Sequence, residues 1–129
     1  MPHVHRRLAA LAFAAFAAAA IAAIPALATN TVKIHSRVTI SDNPPAFHGH
    51  VRSQRNACER NRKVKLYKQR RGPDRLLGND ETNHRGRWVI AVEPLKSGAY
   101  YARVKRREEG TAGTIYVCRR DTSRTVVID

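Results

Sequence analysis

The sequence predicts an all-β fold, an antiparallel sandwich of about seven short strands stapled by one disulfide. Three observations predict it. Apolar and polar residues alternate with a period of two nearly everywhere beyond residue 28, the spacing of a half-buried strand and not of a helix. Turn-forming residues interrupt the alternation at roughly ten-residue intervals, the spacing of short strands in an antiparallel sandwich or barrel. The two cysteines, Cys58 and Cys118, follow an export signal.

That signal occupies residues 1–28. Arg6 and Arg7 precede an uncharged, alanine-rich run ending at Ala26-Leu27-Ala28, so a basic start, an apolar middle and small residues at the cut follow one another. Cleavage after Ala28 is expected in preference to retention of the run as an anchor, because Pro25 stands beside the small-x-small site. Residues 29–129 then form one secreted domain with no membrane span. Outside the cell a thiol pair oxidises. A Cys58–Cys118 bridge closes a loop of roughly 60 residues, which stabilises a fold by about 4 kcal/mol in the chain-entropy model. No CxxC or HxxxH spacing offers a metal site, and no cofactor is expected.

The strands follow in order. Val32 and Ile34, then Val38 and Ile40, alternate with Lys33, His35, Arg37 and Thr39; Pro44-Pro45 breaks the chain before a short strand at Phe47 to Val51. Next, Val64 and Leu66 point one way and Lys63, Lys65 and Tyr67 the other. A turn at Arg70 to Asp74 leads to a brief edge strand at Arg75 to Gly78 and a polar loop from Asn79 to Gly86. Trp88, Ile90 and Val92 face inward from the following strand, and Tyr100, Ala102 and Val104 from the one after the Lys96-Ser97-Gly98 turn. Arg107 to Gly113 reads as another turn, Thr114 to Arg120 as the strand carrying Cys118, and Val126 and Ile128 share one face of the last strand.

Four short motifs follow one another along the chain: Gly49 and Val51; Arg62, Val64, Leu66 and Tyr67; Gly86 and Trp88; and Gly98, Tyr100, Ala102 and Val104. Together they resemble the transthyretin-like, immunoglobulin-like sandwich of carboxypeptidase regulatory-like domains and collagen-adhesin B-type repeats. The paired cysteines resemble those of small secreted bacterial members. The resemblance implies a non-enzymatic accessory module that stabilises, spaces or presents other elements. Some adhesin relatives form a Lys–Asn or Lys–Asp isopeptide bond, but Lys33, Glu93 and Asp129 fit those roles poorly, since Lys33 alternates with apolar residues and Asp129 is terminal.

Charge narrows the partners. The chain has 24 Lys and Arg against 10 Asp and Glu, a formal net charge of +14, which attracts polyanions at long range. The densest run supplies the expected contacts with an anionic cell-envelope polymer: Arg60, Arg62, Lys63, Lys65, Arg70 and Arg71. Tyr67 is the only aromatic within that run, which argues against a dedicated nucleic-acid binder, and a monomer is expected.

The alternative is a small secreted basic hydrolase such as a ribonuclease, drawing acids and bases from His35, His48, His50, His84, Glu59 and Glu93. His48 and His50 share a strand face, where a metal would need a third ligand. Asn79, Asp80, Glu81 and Asn83 are read as a solvated turn, lacking the spacing of a calcium loop. A secreted inhibitor acting through residues 71–84 is a third reading.

Overall fold

The computed structural model describes residues 29–43 and 46–129, so the signal segment and its cleavage site lie outside the described residues. The described chain is all-β, with three sheets, one disulfide and a single 3₁₀ turn at Asn56–Cys58. No described helix is long and apolar enough to cross a membrane.

The first sheet runs β11 (Asp121–Thr122), β8 (Gly98–Val104), β5 (Lys63–Lys68), β6 (Arg75–Glu81), with β12 (Val126–Ile128) also on β8. The second centres on β4 (Ala46–Ser53), flanked on one side by β2 (Ser36–Val38) and β3 (Ser41–Asn43) and on the other by β7 (Arg87–Ala91). The third is β1 (Asn30–Ile34), β10 (Thr114–Cys118), β9 (Arg107–Thr111).

Alternation builds the core. Val38, Ile40, Phe47, Val51, Trp88 and Ile90 of the second sheet and its connections meet Val64, Leu66, Tyr100, Ala102, Val104 and Val126 of the first. Each large apolar side chain so buried contributes about 1.5–3 kcal/mol. The central crossing is tight at Gly49, where a Cβ would come within 2.0 Å of the Thr39 carbonyl oxygen. The same carbonyl accepts a 3.2 Å hydrogen bond from the Trp88 indole, which satisfies the one polar atom of that buried ring.

The Cys58–Cys118 bridge has a Cα–Cα distance of 5.3 Å and both residues are fully buried. It ties the 3₁₀ turn to the end of β10, and through it the third sheet to the sandwich.

Three expectations are corrected. The sheets are not wholly antiparallel, because β1 runs parallel to β10, with Asn30 opposite Thr114 and Ile34 opposite Cys118. Arg107 to Thr111 is a strand and not a turn. Its pattern carried no apolar alternation because Arg107 and Glu109 are held by ion pairs and hydrogen bonds instead. The polar loop begins later than expected, since Asn79, Asp80 and Glu81 continue β6 in register with Lys65, Val64 and Lys63.

Candidate anion-binding surface

Arg62 stands two residues before Val64, in phase with the inward set, and the fold buries it completely. It is therefore not a surface contact for a polyanion. Its guanidinium instead pins one corner of the protein. Nη1 donates to the Cys58 carbonyl at 2.6 Å and to Ser36 Oγ at 2.9 Å. Nη2 donates to the carbonyls of Lys105 at 2.7 Å, Arg119 at 3.0 Å and Cys118 at 3.5 Å. Only Nε lacks a partner. Desolvation, with Arg107 nearby, pushes the group down to about 10, so it stays protonated at neutral pH. The planar fork suits this role because it serves five oxygens on separate segments at once.

The remaining members of the basic run are divided. Lys63 and Lys65 lie on the outer face of β5, whereas Arg70 and Arg71 are exposed on the turn beyond its far end. Five rises of about 3.3 Å separate the strand's ends by roughly 17 Å. Arg60 is exposed in the loop before β5, a loop held in place by Arg107, which donates to the carbonyls of Ala57, Arg60 and Asn61. Arg107 also joins Arg55 in pairing with Glu109, at 2.9 and 2.8 Å. Burial raises the Glu109 carboxyl, but the bonds from Arg55 and Arg107 outweigh it and hold the group below its ordinary value.

Folding gathers a different set of cations. Lys33 of β1, Arg106 between β8 and β9, and Arg119 and Arg120 after β10 line a groove of about 460 Å³ together with Val117, and no carboxylate lines it. Arg106 pairs with Glu108 at 2.5 Å, an exposed contact worth little to stability. Arg120 also lines a second groove with Arg103, Asp121 and Thr122. The one acid there, Asp121, is engaged in accepting the Val38 amide at 2.9 Å. From Arg103 the basic tract continues onto Lys65, its cross-strand neighbour on β5.

Beside this tract Tyr67 and Tyr101, also cross-strand neighbours, stack at 5.4 Å between centroids, with the Arg103 guanidinium 5.5 Å from the Tyr67 ring. The Tyr101 hydroxyl donates to Asp74 at 2.5 Å, which holds the Asp74 carboxyl below its usual range and raises the phenol. Sequence reasoning missed Arg103, Arg106, Arg119, Arg120 and Tyr101 as one group, because they meet across strands. The available signal was the period-two phase of β8, which puts Tyr101, Arg103 and Lys105 on the face opposite the core.

His48 and His50 project from one face of β4 beside a groove of about 440 Å³ that also includes Asp80, Glu81 and Arg87. His35 and His84 do not line it. Glu59 accepts the Ser53 amide at 3.2 Å. Asp80 accepts the Val89 amide at 2.9 Å, and Asn83 those of Arg85 and Arg87, so these oxygens brace the β6–β7 connection. Among the described residues no group of three or more His, Cys, Asp or Glu side chains converges to hold a metal ion. Lys33 and Glu93 line separate cavities, and the structure does not join them for an isopeptide bond.

No protein-family model, curated protein or solved structure matches this chain.

Proposed function

We propose that the protein is a secreted, non-enzymatic β-sandwich module that binds an anionic polymer of the cell envelope along the tract from Lys33 through Arg106, Arg119 and Arg120 to Arg103 and Lys65. The observation that carries this is the groove lined by four cations and no carboxylate. Like charges repel, so assembling four of them from three segments, with only the exposed Arg106–Glu108 pair to offset them, lowers stability unless a further anion meets them. The buried disulfide supports export, because such a bond persists in oxidising compartments. The resemblance to carboxypeptidase regulatory-like domains supports an accessory role in place of catalysis. The module acts as a monomer.

Retention on an immobilised sulfated polysaccharide tests the proposal. The protein is expected to elute only at high salt, and Arg119→Ser/Arg120→Ser to elute much earlier. Elution of the unaltered protein at low salt removes the reading.

A small basic hydrolase such as a ribonuclease is a second reading, favoured by the groove beside His48 and His50. Burial, then Arg52, Arg87 and His48, lower the pKa of His50, which keeps its imidazole neutral and able to accept a proton. Arg87, directly across from His50, would meet a phosphate. RNA cleavage by the purified protein that His48→Ala abolishes would establish this reading over the first.

A further inference from the structure

A second cationic site lies at the opposite end of β5 and β8, around Lys68 and its cross-strand partner Tyr100. There a cavity of about 270 Å³ is lined by Lys68 of β5, Arg75 of β6 and Lys96 of the β7–β8 connection, with Glu93 as the one carboxylate. That leaves a surplus of two positive charges. None of the four takes part in an ion pair among the described residues. The remaining lining residues include the apolar Leu77 and Val92 and the Tyr100 ring.

Lys68 is held in place. Its stem crosses Gly98, where a Cβ would come within 2.6 Å of the lysine Cε, and its ammonium stands 5.7 Å from the centroid of the Tyr100 ring. Tyr100 is fixed in turn. It is 1 % exposed, packs on Phe47 with centroids 4.8 Å apart, and donates its hydroxyl to the Lys96 carbonyl. A half-buried ammonium on a locked aromatic floor loses little side-chain freedom when an anion arrives.

We propose that this cavity binds a small phosphate monoester, with Lys68, Arg75 and Lys96 around the phosphate and the apolar wall against the organic group. A phosphate monoester carries about −1.5 to −2 charges at pH 7, which matches the surplus of the lining. Arg75 supplies the planar fork that meets two phosphate oxygens together. The volume is just under the range of about 300–1,000 Å³ typical of small-ligand pockets, which suits a small ester and not a folded polymer. The site shares no residue with the basic tract, so it stands or falls separately from the polymer reading.

The test is a phenyl phosphate titration of the purified protein at physiological salt, followed by amide chemical shifts. Saturable shifts confined to the neighbourhood of Lys68, Arg75 and Lys96 are expected. Lys96→Gln should weaken binding about tenfold, the loss of one charge-assisted contact. Glu93→Gln should tighten it by roughly threefold to fivefold, since it removes a repelling charge. A gain of that kind has no explanation in mere loss of structure. Arg119→Ser/Arg120→Ser should leave the titration unchanged. Non-saturating shifts, shifts centred on Arg106, Arg119 and Arg120, or weaker binding by Glu93→Gln would each overturn the proposal.

Discussion

Arg62 and the groove at Arg119 and Arg120 are neighbouring concentrations of positive charge with opposite physics. At the corner one guanidinium is taken out of water completely, and backbone carbonyls on three segments and one hydroxyl meet all its nitrogens but one. It accepts no solvent, and both half-cystines present their carbonyls to it. In the groove four cations stay wet with no carboxylate in the lining. A basic residue's role here follows from its phase in the strand. Arg62 falls in step with Val64 and Leu66 and becomes scaffold, whereas Lys63 and Lys65 fall out of step and face water.

The sharpest way to break that contrast is Arg62→Met. It leaves several buried carbonyls without donors at about 1–3 kcal/mol each, so urea unfolding should show a loss of about 4 kcal/mol or more. Arg62→Lys should rescue little of it, because a single ammonium cannot reach oxygens on so many segments. A loss under about 1 kcal/mol would make the corner a surface feature after all.

Removing the adjoining staple with Cys58→Ser/Cys118→Ser comes next. A bridge spanning 60 residues is expected to contribute about 4 kcal/mol, and non-reducing mass spectrometry of the purified protein should find no free thiol. In the groove the pattern reverses. Arg119→Ser/Arg120→Ser should change stability by no more than about 0.5 kcal/mol while lowering the salt needed for elution from an anionic polymer.

The smallest effect concerns Glu109, whose folded pKa lies below its ordinary value of 4.5. A depressed carboxyl contributes stability that is complete above the ordinary value and lost as pH falls through the folded one. The melting temperature should therefore drop on acidification below about pH 5, and Glu109→Gln should flatten part of that drop.

Much of this was legible in the residues. Trp88, Ile90, Tyr100, Ala102 and Val104 alternate cleanly and form the core, and the cysteine pairing expected from an export signal is the one formed. β9 was illegible because polar contacts, of its Glu109 with Arg55 and of its Arg107 with the carbonyls of Ala57, Arg60 and Asn61, dock it in place of apolar burial. The parallel course of β1 left no mark, since alternation carries no direction. Arg62 was readable in principle from its phase, yet charge density obscured it. The cationic groove was not readable, because residues 33, 106, 119 and 120 meet only through the pairing of β1 with β10 and the turn after β8.

The proposed polymer should read the folded tract and not the densest run of the sequence. The direct measurement is the salt dependence of binding to a sulfated polysaccharide for the unaltered protein, Arg119→Ser/Arg120→Ser and Arg70→Ser/Arg71→Ser. The first pair should lower the slope of log affinity against log salt by about two, one per cation, and the second should leave it nearly unchanged. An equal or greater loss from the turn pair, with the groove pair indifferent, would contradict it.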